Sequence, residues 1–376
     1  MGLTRRRFLA CAAALAATAG TPSGLRAGPS PGTKKASGHA AGTSESLALA
    51  RDDLRRLVMG RALVVDDPWV LMHVLLALGA DARHGDEPVL DTVVREWVEP
   101  VTAAGKTYQA FPLKVEAHPN HFLGVMYETG VSPDRRFATG SGAVTRAELY
   151  ASAKALFSPA FPGGELSWTV GVFTASMPPD DDRFENAQRQ SFTVSALVEV
   201  LAQATEAAYR DTVAAMRGAK PYGRSALQAL PCNGTHVLGG LLDALRNGYR
   251  AQGLRERTTE LMRAALFRLG AETALIDQVI GQSRGPQAQL NADAAKLQFL
   301  GHSLESLGFA RRHALYTPTA AELAQVRTAE GELAAVVRRL VATHDLDALQ
   351  RQVPRAYWVV LGDACHALHA LESSPA

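Results

Sequence analysis

Apolar residues along this chain recur at intervals of three and four and almost never alternate, which predicts helices and leaves little room for strands. Six segments are apolar around most of their circumference, as helices buried on both sides should be. They cover 68–76, 119–127, 166–173, 234–242, 297–304 and 357–366, and each opens near a Pro, Gly, His or Trp. Between them lie segments with one apolar stripe and a charged face: 46–58, 90–98, 145–157, 195–216, 255–269 and 320–341. The buried segments begin roughly 50 to 70 residues apart, a period that marks repeated helix pairs, because one helical hairpin cannot cover its own apolar face and must stack on neighbours. The expectation is an all-α fold, an α/α toroid of about six hairpins with the apolar helices inside. An irregular helical bundle or an open α-solenoid is the alternative.

The amino terminus follows a different pattern. Arg5, Arg6 and Arg7 precede an apolar run from Phe8 to about Ala17 that is too short for a mature membrane span. Thr4-Arg5-Arg6-Arg7-Phe8-Leu9 is similar to a twin-arginine export signal, and Ala17-Thr18-Ala19 supplies the small residues of a cleavage site. Residues 1–19 are therefore expected to be a signal peptide, 20–45 a Gly/Ser/Thr/Pro/Ala-rich tether, and 46–376 a single helical domain. The expected location is periplasmic or secreted, with membrane contact only in transit. The export route suggests a cofactor without specifying one.

Charge narrows the partners. With 39 Lys and Arg against 37 Asp and Glu in 376 residues, the net charge of +2 provides no basic field for a nucleic acid. Removing Cys11 with the signal leaves Cys232 and Cys365, far apart in sequence and expected as buried free thiols.

Residues 232–238, Cys-Asn-Gly-Thr-His-Val-Leu, are followed by a basic amphipathic stretch through Arg250 and by Leu-Gln-Phe-Leu-Gly-His-Ser-Leu at 297–304. Together they resemble a pattern of uncharacterised exported bacterial proteins. Those proteins are in turn similar to the terpenoid-cyclase and protein-prenyltransferase superfamily of α/α toroids. The likeness runs from about Asp66 to Leu371 and implies the toroid fold. The Asp-rich protonating motif and the Gln-Trp repeats of triterpene cyclases are missing, so no activity is carried over.

Candidate chemistry gathers at the starts of the buried segments. Cys232 and His236 flank a Gly-Thr that reads as a helix start with Asn233 as N-cap. Thiolate and imidazole are half of a zinc site that His302 and a carboxylate such as Asp293 or Asp67 would complete. A capped helix start with a buried thiol is the simpler reading, and no metal ligands are assigned. His118 and His121 share a helix face, whereas His366 and His369 read as a solvated face. Asp66-Asp67-Pro68-Trp69 and Glu165-Leu166-Ser167-Trp168 place carboxylates ahead of Trp, where one acid and one base could be set apart by burial. Asp180, Asp181 and Asp182 read as a polar turn.

The expected site is a central cavity lined by Trp69, His73, His121, Trp168, His236 and His302, with His236 and either Asp67 or Glu165 transferring protons to an apolar or saccharide ligand. A non-catalytic binding or scaffold protein is the alternative.

Overall fold

The computed structural model describes residues 40–160, 165–280 and 285–373. The expected signal peptide, with its twin-arginine motif, and most of the tether lie outside the described residues. The first helix, α1, spans Ala40–Leu57 and so opens inside the stretch read as tether.

Helix prevails, as the spacing of apolar residues requires. Each segment read as buried becomes a helix: α2 (Pro68–Leu78), α5 (His121–Glu128), α7 (Leu166–Ser176), α9 (Val237–Arg246), α11 (Pro286–Arg312) and α14 (Pro354–Ser373). The amphipathic segments form α1, α3 (Val89–Trp97), α6 (Arg146–Ala155), α8 (Val194–Met216), α10 (Leu254–Ile280) and α12 (Ala320–Thr343). Two shorter helices, α4 (Leu113–Glu116) and α13 (Leu346–Gln352), serve as connectors.

Local chemistry sets the starts. Asp67 caps α2 by accepting the Val70 N–H at 3.0 Å, with Pro68 at the first helical position. Thr145 with Glu148 and Thr319 with Glu322 form reciprocal capping boxes on α6 and α12.

The six buried helices touch one another in chain order, α2 on α5, α5 on α7, α7 on α9, α9 on α11 and α11 on α14, and α14 returns to α2. Two contacts of this circuit require glycine. A Cβ at Gly240 in α9 would lie 2.5 Å from the carbonyl oxygen of Ser167 in α7, and one at Gly362 in α14 would lie 2.5 Å from the Trp69 ring. The amphipathic helices cover the outside, α10 packing on α8 and α12 and α12 on α1.

Four two-stranded antiparallel hairpins are the small share of strand that the all-α expectation leaves room for: β1–β2 (Arg83–His84, Glu87–Pro88), β3–β4 (Glu99–Ala103, Lys106–Ala110), β5–β6 (Arg136–Thr139, Gly142–Thr145) and β7–β8 (Arg183–Glu185, Ser191–Thr193). Their place is physical. Helices α3 and α6 are only 9 and 10 residues long, and α3 leans on β5 while α6 leans on β4 and β7, so the hairpins cover core that a short helix leaves open. None of the described helices is long and apolar enough to cross a membrane.

Candidate functional site

One side chain from each buried helix or its first turn meets its neighbours in a closed ring. The ring centroids run His73 to His121 at 5.0 Å, His121 to Trp168 at 6.3 Å, Trp168 to His236 at 5.1 Å, His236 to His302 at 4.4 Å, His302 to His366 at 3.7 Å and His366 back to His73 at 4.8 Å. Five imidazoles and one indole thus form a layer contributed by all six buried helices.

One helical turn further on, the same helices present Leu76, Gly124, Gly171, Gly239, Glu305 and His369, and these line a cavity of about 100 Å³. Three of the six are glycines, which leave space where side chains would otherwise meet. Asp243 and Arg312 line it further along.

Burial, reinforced by the neighbouring imidazoles, holds His73, His121 and His236 well below the usual histidine range and also lowers His366. Burial opposes charge on His302 too, but Cys232 and Asp363 outweigh it and lift the imidazole to about 10. The His302 Nε2 bonds to Asp363 Oδ1 at 3.2 Å, and its buried Nδ1 has no hydrogen-bond partner.

Three carboxyls line the cavity and do not titrate alike: burial, reinforced by Asp243 and Glu305, raises Glu128 to about 8. Burial works against ionisation of Glu305, yet His366 and His369, whose Nδ1 atoms bond to its two oxygens at 2.7 and 2.6 Å, hold it well below the usual range. Glu305 in turn raises His369 against the effect of burial. At Asp243 burial prevails over the attraction of Arg246 and raises the carboxyl to about 7, and its Oδ1 is buried without a partner.

Of the residues expected at the site, His73, His121, Trp168, His236 and His302 converge, and Trp69 stands against His73 with 4.1 Å between ring centroids. Asp67 and Glu165 occupy other positions: Asp67 is the cap of α2, and Glu165 bonds to His118 Nδ1 at 3.0 Å while His118 stacks on Trp168 at 4.0 Å. Neither lines the cavity.

Three readings require correction. His366 and His369 are not a solvated face: His366 is 2% exposed, and both bond to Glu305. Asn233 does not cap α9, because Cys232, Asn233 and Gly234 all have positive φ (48°, 56° and 68°) and the Asn233 amide donates to Gln298 Oε1 at 3.2 Å instead. Asp293 does not join Cys232, since Arg339, His344 and Gln289 surround it. Cys232 and Cys365 are both free, as expected, but only Cys365 is buried, Cys232 being partly exposed. The acidic run at 180–182 forms a polar turn in which Asp182 accepts the Ser195 N–H at 2.7 Å.

His366, Glu305 and Asp243 were missed. For His366 a signal existed, because it follows His302 at about the same period, roughly 50 to 70 residues, that separates the earlier members of the ring. Comparison with protein-family models, curated proteins and solved structures finds no match.

Proposed function

We propose that the chain is an exported α/α toroid, delivered by the twin-arginine route to the periplasm or beyond, whose axial cavity takes a small polar molecule and performs acid/base chemistry on it. The closed circuit of six helices and the six-membered ring of side chains support the toroid.

The observation that carries the chemistry is the coexistence in one cavity of carboxyls with opposite protonation, Asp243 and its neighbour Glu128 raised by burial and Glu305 ionised. Asp243, with a pKa of about 7, can donate a proton near neutrality, and Glu305, ionised and held by His369 and His366, can accept one through an imidazole. The roles first assigned to Asp67 or Glu165 thus pass to residues that line the cavity, and His236 closes its floor.

Size limits the ligand. A cavity of about 100 Å³ is several-fold smaller than the roughly 300–1,000 Å³ that holds a drug-sized molecule, which favours a compact substrate over a prenyl chain or a glycan. The same small volume favours a non-catalytic scaffold as the second reading.

Gly239→Leu tests the cavity. A Cβ there has nothing closer than Ser167 Oγ at 3.9 Å, and leaving glycine inside a helix gains about 1 kcal/mol. The variant should fold at least as stably as the parent and lose any small molecule that native mass spectrometry finds with the exported protein. Activity is read with compact esters and amides, whose conversion is followed by proton NMR between pH 5 and 9. Turnover should fall roughly 10²–10⁴-fold in Asp243→Asn, the usual weight of a general acid. Unchanged ligand content and turnover in both variants would leave the scaffold.

Asp243 also makes stability depend on pH. Its folded pKa of about 7 lies above the ordinary aspartate value of 3.8, so the folded chain holds a proton that the unfolded chain releases. Its contribution is complete below the unfolded value and declines as pH rises through 3.8 to about 7. Asp243→Asn should therefore match the parent near pH 4 and exceed it at pH 8 by about 2 kcal/mol, discounted for partial exposure and for Glu128, which titrates together with Asp243. Urea unfolding at both pH values checks this, and parallel curves would refute it.

A further inference from the structure

We propose that Cys232, His236 and His302 form a binding site for a zinc-class divalent cation. The Sγ of Cys232 and one ring nitrogen from each histidine all lie within 4.8 Å of one another. Tetrahedral zinc, with bonds of about 2.3 Å to sulfur and 2.0–2.1 Å to nitrogen, brings such donors to roughly 3.5 Å, a contraction that small side-chain rotations supply.

Second contacts prepare the donors. Asp363 engages His302 at Nε2, which leaves the buried Nδ1 as the ligand atom, with the Cys232 thiol beside the ring. A histidine held from behind by a carboxylate is the usual arrangement at a metal. Asp363 is itself met by Gln298 Nε2 at 3.4 Å, and Gln298 accepts from Asn233, the residue next to Cys232. The network therefore begins at the Cys232 turn and returns to its partner histidine.

Cys232 has φ 48° and ψ 42°, a left-handed conformation unfavourable for a side chain with a Cβ, and Thr235 holds it by donating its hydroxyl to the Cys232 carbonyl at 2.7 Å. Cys232 and His236 are partly accessible while His302 is buried, so a cation has a way in and a fixed donor at the end of it. His236 also lines the cavity, and with three protein ligands a fourth position remains for water or a substrate oxygen.

Cys232, His302 and Asp363 also have the order of a thiol nucleophile, its base and an orienting acid. Such a triad has no use for His236 beside the sulfur, and a metal does. This assignment does not depend on the acid/base roles of Asp243 and Glu305.

The test uses the full exported chain, stripped with a chelator and then supplied with zinc or cobalt(II) chloride. It should take up a single equivalent of either metal, and the cobalt form should show a thiolate charge-transfer band. Cys232→Ala and His302→Ala should lose the metal, Asp363→Asn should bind roughly 10–100-fold more weakly, and Cys365→Ala should be unaffected. On the unmodified chain, zinc should slow iodoacetamide alkylation of Cys232. No uptake by the folded chain, no sulfur-to-cobalt band, or alkylation of Cys232 at the same rate with and without zinc would overturn the site, the last in favour of a nucleophilic thiol.

Discussion

Glu272→Ala is expected to reduce the unfolding free energy by about 3–5 kcal/mol, the usual effect of leaving one partner of a buried ion pair alone. Arg268 is 1% exposed, and its Nε bonds to Glu272 Oε2 at 3.1 Å across one turn of α10. The same carboxylate accepts the Tyr222 hydroxyl and, at 2.9 Å, the Gln228 amide. The Arg268 guanidinium also lies 4.9 Å from the centre of the Phe299 ring in α11. Without Glu272 the cation keeps the Tyr222 hydroxyl, at 3.2 Å, and Gln228 loses its bond to α10. The segment from Tyr222 to Gln228 leads into the Cys232 turn, so the variant should also bind cobalt(II) more weakly. Urea unfolding of the full chain measures the loss, and a change under 1 kcal/mol would mean that the pair is dispensable.

Gly240→Ala should be nearly as damaging, although it adds only a methyl group. The new Cβ would lie 2.5 Å from the Ser167 carbonyl oxygen and 2.9 Å from the Ser167 Cα, so α7 and α9 must separate. Separation strains the Ser167 hydroxyl, which accepts the Gly240 N–H at 3.0 Å and donates to the His236 carbonyl. Overpacking costs about 1–3 kcal/mol and an unmet buried hydrogen bond a similar amount, against a helix gain of about 1 kcal/mol. The net loss should be about 2–4 kcal/mol. Gly239→Leu, one residue earlier and facing the cavity, is the control. Thermal melts of the two variants should separate clearly, and equal midpoints would show that the contact is not tight.

The contrast between these glycines shows what could be read in advance. The sequence carries the helical period, so the buried segments and five of the six ring members were evident as apolar runs punctuated by His or Trp. It does not carry rotation about a helix axis in fine detail. His366 and His369 looked solvated because two histidines three apart suit an exposed face equally well, and only Glu305 on α11 shows why they are inside. Glu305 and Asp243 were invisible for the same reason, since a carboxylate within a helix ordinarily faces water.

Two hairpins turn through Gly85-Asp86 and Gly140-Ser141, signals the helical period overshadowed, while a third offers none. The β3–β4 connection is Ala104-Gly105 with φ of 48° and 76°, a conformation that Asn-Gly or Asp-Gly would have announced. Asn233 misled in the opposite direction, as a good capping residue that the left-handed turn from Cys232 to Gly234 diverts to Gln298.

Contact between α14 and α2 joins residues far apart in the chain, and it has a consequence for biogenesis. Until the segment 354–373 has been synthesised, α2 and α11 lack the cover that α14 gives them, and the imidazole layer lacks His366. Assembly is a late and non-local event, of the kind that slows folding and leaves a nascent chain dependent on protection from aggregation.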